Sequence, residues 1–143
     1  MKLLPVRGNP DATSLLYALL AERPRENWIS HERMPTEAEH AAFVASHPFR
    51  FWYLIEVDGT QVGAIEVTHN NEIGIAILRA HQRKGLGTKA LRCFLDIHEP
   101  LPPIPAVRNG NWLANIATLN EDSKLFFARL GFWPIQETWM LRR

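Results

Sequence analysis

Gln82-Arg83-Lys84-Gly85-Leu86-Gly87-Thr88 is the part of this chain whose residue types and spacing suit work on an anion. It lies within residues 79–89, Arg-Ala-His-Gln-Arg-Lys-Gly-Leu-Gly-Thr-Lys, and Arg79 opens that run. Residues 72–78, Glu-Ile-Gly-Ile-Ala-Ile-Leu, read as a buried strand, and residues 89–97 read as an amphipathic helix. The order is therefore strand, basic glycine turn, helix. The first backbone N–H groups of a helix have no intrahelical partner, and the helix dipole adds partial positive charge there. Gly85 and Gly87 carry no Cβ, so an anion can approach the chain, while Arg83 and Lys84 add charge and Thr88 a hydroxyl. The combination reads as a cradle for a phosphate, most simply a pyrophosphate.

Neither of the common nucleotide patterns fits. The Walker spacing Gly-x-x-x-x-Gly-Lys is absent, and Gly-x-Gly-x-x-Gly fails because no glycine follows Gly87 at the required place.

The elements that must carry this turn can be read in order. Residues 3–6 form a short first strand. Asn9-Pro10-Asp11 looks like a helix start, with Asn9 as cap, and Leu15, Leu16, Leu19 and Leu20 continue it to about residue 22. A loop over residues 23–35 holds Trp28, Ser30, His31 and Arg33. Thr36-Glu-Ala-Glu39 is a capping box opening a second helix that ends before Pro48. Residues 51–57 and 61–67 are strands joined at Asp58-Gly59, a two-residue hairpin signal, and the meander continues into strand 72–78. Leu86, Ala90, Phe94 and Ile97 give the next helix a stripe toward the sheet. A proline-rich loop fills residues 99–111, followed by an expected strand at 112–118, a helix capped by Asn120 and ended near Gly131, and a last expected strand at 135–141.

Composition narrows the class. A chain of 143 residues, 46% hydrophobic and 22% charged, suits one globular domain, residues 1–143, with its own core. A formal net charge of +1 supplies no global field to recruit nucleic acid or a membrane surface. Cys93 is the only cysteine, which excludes a disulfide framework and a cysteine metal cluster. His40 and His47 fall on one helix face without a third ligand at matching spacing, so no metal site is expected. Trp52, Tyr53, Trp133 and Trp139 read as packing residues. The first residues are too short an apolar run for a signal peptide or a span, so a cytoplasmic protein is the expectation.

Two blocks carry a family resemblance. Gln82-Arg-Lys-Gly85-Leu-Gly87 resembles the acetyl-CoA pyrophosphate loop, Gln/Arg-x-x-Gly-x-Gly/Ala, of the GNAT superfamily of N-acetyltransferases. Asn120-Glu-Asp-Ser123-Lys-Leu-Phe126-Phe127-Ala-Arg-Leu130-Gly131-Phe132 resembles its second block, Asn-x-x-Ser/Ala-x-x-Leu/Phe-Tyr/Phe-x-x-x-Gly-Phe. The blocks occur in the family's order and the expected elements follow its topology over nearly the whole chain. The resemblance implies an α/β (α+β) GNAT fold: a mixed, mostly antiparallel twisted sheet with splayed fourth and fifth strands, flanked by about four helices. It implies acetyl-CoA as co-substrate and no metal.

The resemblance also assigns roles. The pantetheine arm would pair with free backbone groups of the fourth strand at Ile75, Ile77 and Leu78, and Asn120 would hydrogen-bond it. Arg79, Leu86, Ser123 and Phe127 would complete the coenzyme site. Transfer to an amine requires a proton acceptor, donors for the developing oxyanion and a route for the leaving thiolate. Glu72 shares strand parity with Gly74 and Ala76, whose small side chains leave room for a thioester, so Glu72 is the candidate base. Phe127 stands where many members have a Tyr that protonates the sulfur; it cannot donate, and Ser123 or water is the substitute. Trp28, Ser30, His31 and Arg33 lie in the loop that covers the acceptor in the family.

The implied activity is acetyl transfer to the primary amine of a small molecule by direct attack in a ternary complex. Ser123-Lys-Leu-Phe126-Phe127 is similar to small members that act on nucleotide-linked amino sugars. The alternatives are a protein N-terminus or lysine as acceptor, or a non-catalytic acyl-CoA-binding module. The partners expected are the amine and, at most, a second copy of the chain as a homodimer.

Overall fold

The computed structural model describes residues 1–142. Its sheet is built from β1 (Lys2–Pro5), β2 (Phe51–Val57), β3 (Thr60–Val67) and β4 (Ile73–Ile77), antiparallel throughout and ordered as in the sequence. The β2–β3 turn is the expected one: Asp58 and Gly59 both take positive φ, 49° and 78°, the twist that suits a tight hairpin. Four helices, α1 (Ala12–Glu22), α2 (Glu37–Ala45), α3 (Leu86–Ile97) and α4 (Glu121–Arg129), cover the two faces.

Strand alternation divides the core in two. Leu54 and Ala64 face Val6, Ala12, Leu16, Leu19 and Val44, so this side lies under α1 and α2. Ile55, Ile65, Val67 and Ile73 face Ala90, Leu91 and Phe94 of α3 and Phe127 of α4. The hairpin register fixes which side chains share a face: Glu66 stands opposite Trp52 on one side and Gly74 on the other, and Ala64 opposite Ala76.

Helix starts follow the expected chemistry with one shift. Thr36 Oγ1 accepts from Glu39 N at 3.1 Å, although Glu39 turns its carboxylate to Arg33, also at 3.1 Å, instead of closing the box. Asn120 Oδ1 accepts from Ser123 N at 3.1 Å and caps α4. Asn9 does not cap α1. Its Oδ1 accepts from Asp11 N at 3.0 Å in a local turn, and the helix begins at Ala12.

Two expected strands, 112–118 and 135–141, are not strands among the described residues. Leu113 makes one parallel bridge with Glu72, where Ile73 N donates to Leu113 O at 2.8 Å and Leu113 N to Asn71 O at 2.9 Å. After that the chain leaves β4, while Trp112, Ala114 and Ile116 still pack on the α3-side core. Their apolar alternation reports burial, not pairing. In 135–141, Ile135, Trp139 and Leu141 alternate but are exposed and pair with no strand among the described residues. The residue that holds the proline-rich loop is Asn71, fully buried: its Nδ2 donates to Leu101 O and Asn109 O, both at 2.9 Å, and its Oδ1 accepts from Leu101 N at 2.7 Å. No helix among the described residues is long and apolar enough to cross a membrane.

Candidate active site

The outer edge of β4 is the first component. Leu78 N donates to Val62 O at 2.8 Å and Thr68 N to Glu72 O at 3.0 Å, so even-numbered residues direct their backbone groups at β3. Ile73 N points the other way, to Leu113. Alternation then turns the N–H and C=O of Ile75 and Ile77 outward, past the point where residues 114–118 have left the strand. Gln82 Nε2 takes the Ile77 carbonyl at 2.8 Å, leaving the Ile75 groups and the Ile77 N–H open along the edge. Leu78 does not belong to this set. Its N–H is spent on Val62, and its carbonyl accepts from His81 N at 2.8 Å. Arg79 is likewise engaged elsewhere: its N–H donates to Glu22 Oε2 at 2.7 Å and its Nη2 to Glu22 O at 3.3 Å, tying the end of β4 to the end of α1.

The chain then turns into α3. Arg83 and Gly85 hold φ of 60° and 71°, and Gly85 is the N-cap residue. The first helical bond is Lys89 N to Gly85 O at 3.1 Å, so the N–H groups of Leu86, Gly87 and Thr88 precede any intrahelical partner. No acidic residue sits in this first turn, and Arg83 and Lys84 are exposed beside it. This is an anion site built from backbone, with positive charge at its rim.

The two glycines do different work. A Cβ at Gly85 would meet nothing within 4 Å, which leaves its open side to a ligand. A Cβ at Gly87 would stand 3.3 Å from Phe126 Cε2 and 3.7 Å from Ile77 Cγ1. Gly87 therefore also lets α3 lie close to α4 and β4, a packing role beside that of its N–H in the anion site. Through that contact α4 sits beside the first turn of α3. Asn120, with its Oδ1 committed to the cap, retains its amide N–H groups, and Ser123 lies half-buried one turn into the helix. Phe127 is 5% exposed, edge-on to Phe126 and Phe132 with centroids 5.0 and 5.1 Å away. It is a core ring in the position expected to face the sulfur.

On the α1–α2 face of the sheet, Gly74 and Ala76 of β4 leave a low surface, and two carboxylates share its parity. Glu72 is fastened to its turn: Thr68 Oγ1 donates to Glu72 Oε2 at 3.0 Å and accepts from Glu72 N at 3.2 Å. Glu66, which sequence reasoning passed over, lies across Gly74. A Cβ on Gly74 would come within 2.8 Å of Glu66 Cδ and closer still to Oε1, so a larger residue there would displace the end of the Glu66 side chain. Surrounding protein desolvates the Glu66 carboxyl and pushes its pKa up, with Arg23 partly opposing the rise. The signal in the sequence was a carboxylate two residues from Ala64, on the face that Ala64 gives to the α1–α2 core.

The loop over 23–35 is braced by its own side chains. Trp28 Nε1 donates to Arg23 O at 3.1 Å, Trp28 meets His31 edge-on at 6.1 Å, and the Arg25 guanidinium lies 5.7 Å from the Trp28 ring. Ser30, His31, Glu32, Arg33, Pro35 and Glu39 line a shallow depression of about 320 Å³. The structure thus gathers Ser30, His31 and Arg33 in one hollow, with Trp28 against its edge. Among the described residues no cluster of His, Cys, Asp and Glu is arranged to hold a metal ion.

Comparison with known proteins follows the same lines. Residues 14–132 match the family model described as the acetyltransferase (GNAT) family. An acetyltransferase from Thermus thermophilus superposes with a TM-score of 0.66 at 21% identity, covering 95% of this chain and 88% of that one. A putative acetyltransferase from Salmonella typhimurium, solved with its cofactor acetyl-CoA, gives 0.60 at 19% identity over 92% and 77% of the two chains. An aminoglycoside 6′-N-acetyltransferase from Acinetobacter haemolyticus gives 0.59 at 17% identity over 100% and 98%. No curated protein sequence matches the chain.

Proposed function

This chain belongs to the GNAT family of acetyltransferases, which use acetyl-CoA, and on that premise we propose that it acetylates the primary amine of a small polar molecule in a ternary complex. The observation that carries the acceptor class is the polar and charged wall of the depression at Ser30, His31, Glu32, Arg33 and Glu39, which suits a small polar amine.

The residues fit the coenzyme in three places. The open N–H groups at the start of α3, with Arg83 and Lys84, would hold its pyrophosphate. The free edge at Ile75 and Ile77 would pair with the pantetheine amides, and the Asn120 amide would donate to the same arm. Acetyl-CoA supplies an activated acyl group on a good leaving thiolate. The chain's own part is to orient that thioester along β4, to present the Ile77 N–H to the developing oxyanion, and to exclude water beneath the 23–35 loop. With Phe127 in the core, Ser123 or solvent meets the departing sulfur.

Thiol release from acetyl-CoA, followed with separate panels of small amines, amino sugars, nucleotide-linked amino sugars and peptides with a free N-terminus or lysine, tests this. Turnover confined to the small-molecule panels is expected. Turnover with peptides alone would overturn the acceptor class, and tight CoA binding with no turnover on any panel would make the chain a binding module.

A further inference from the structure

The position of Glu66 has a chemical consequence. Its carboxyl rests on the backbone of Gly74, on the face of β4 that also carries Ala76. Gly74 is the residue before Ile75, whose backbone faces the coenzyme edge, so this carboxyl reaches from β3 across the strand proposed to hold the thioester. The other carboxylate of that face, Glu72, is drawn back into its turn by Thr68. No other side chain pairs with the Glu66 carboxyl among the described residues, its own backbone N–H favours the charged form, and the residue is only partly buried. The start of the acceptor loop is tied to this region: Glu22 is bound to Arg79, the Arg23 charge partly offsets the desolvation of the carboxyl, and the Arg23 carbonyl holds Trp28.

The geometry points to Glu66 as the group that takes the proton from the acceptor amine, with Gly74 required to make room for it. This rests on the acetyl-transfer reading. An ammonium acceptor gives one proton to the Glu66 carboxylate, and the freed lone pair forms the new C–N bond to the acetyl carbon as the C–S bond breaks. The second amine proton goes to the thiolate or solvent, giving amide and CoA, and Glu66 returns its proton to solvent. The charged groups that face this exchange are Arg23 at the end of α1, Glu22 held by Arg79, and Glu72 held by Thr68. Desolvation, by raising the affinity of Glu66 for a proton, suits it to accept one from an amine near neutral pH.

The test compares wild type, Glu66→Gln and Glu72→Gln in the full chain. With an amine that wild type acetylates, Glu66→Gln should lower kcat by about 10²–10⁴-fold at neutral pH, with the loss shrinking as pH rises and the Kd for CoA unchanged. Glu72→Gln should keep the wild-type pH profile. In the CoA-free protein, a carboxyl carbon resonance that titrates above the ordinary carboxylate range should be absent from Glu66→Gln and present in Glu72→Gln. Should Glu66→Gln fail to fold, Glu66→Asp keeps the acid on a shorter stem, and a lowered kcat with the pH dependence retained is expected. Wild-type kcat in Glu66→Gln, a pH-independent Glu66→Asp, or the effects falling on Glu72 would overturn the assignment while acetyl transfer stood. Absence of wild-type turnover with every amine would overturn the acetyl-transfer reading and this inference with it.

Discussion

The exit of β4 and the face of β4 are adjacent, yet they are made in different ways. At the exit, residues 82–88 form the anion site almost entirely from their own backbone: one left-handed glycine, a helix start and two flanking cations. On the face, the surface beside Gly74 is assembled from β3, β4 and the end of α1, which are brought together by strand register and by the Glu22–Arg79 contacts. A backbone site tolerates changes in most side chains and depends on conformation at one or two residues. A cross-strand site depends on which residues stand opposite each other.

Predictions can sharpen that contrast. The largest expected effect on the coenzyme is at Gly85. A β-branched residue at φ 71° is strained by roughly 1–3 kcal/mol. The turn should relax by rotating its N–H groups away from the anion. Gly85→Val should weaken CoA binding by roughly 10–100-fold in calorimetry. An unchanged Kd would remove the helix start from the coenzyme site.

Gly87→Val separates conformation from packing. Its new atoms press on Phe126 and Ile77, and overpacking of this kind costs about 1–3 kcal/mol. The melting temperature of the CoA-free protein should fall, whereas Gly85→Val loses affinity first. If Gly87→Val melted like wild type and lost only CoA affinity, the glycine would face the ligand after all.

Asn120 joins the two kinds of site. Asn120→Ala loses the cap and should cost about 1 kcal/mol. Asn120→Asp keeps an acceptor for Ser123 N but lacks the amide donor, so it should melt normally and show a raised KM for acetyl-CoA. Equal KM values for Asn120→Asp and wild type would confine Asn120 to capping.

The smallest effects are in the pH dependence of stability. Glu66 has its pKa raised by desolvation, so its contribution is fully present below the ordinary carboxylate value of 4.5 and is lost as pH rises through the raised value. Glu66→Gln should therefore melt above wild type at neutral and alkaline pH, the gap closing in acid. His98 runs the other way. Burial first, and then Arg50, lower its pKa from 6.5, so its contribution is present above that value and lost as pH falls toward the lowered one. His98→Gln should flatten the acid limb of a melting profile; an unaltered limb would place the acid sensitivity elsewhere.

Much of the fold was legible because its signals are local. The Asp58-Gly59 hairpin, the Thr36 and Asn120 caps and the glycine turn each depend on a few consecutive residues whose backbone preferences suffice. Where a local signal misled, a competing local bond explains it, as with Asn9 and Asp11. Residues 112–118 show the limit of periodicity: alternation specifies a buried side, which Trp112, Ala114 and Ile116 satisfy against the core without a strand partner. Leu78 shows it at the site, since one residue of phase decides whether a backbone N–H points at β3 or at a ligand.

By itself, then, the sequence determined the strand–turn–helix that can hold a pyrophosphate, the two-block family signature and the order of the principal elements, because each is encoded over short spans by φ preference, capping and apolar period. Only the tertiary structure decided that Gly87 serves α4, that Asn71 anchors the proline-rich loop and that Glu66 lies over Gly74. Those depend on hairpin register and helix–helix approach, where residues distant in the chain must fit the same few ångströms, and no local preference records which of them will meet.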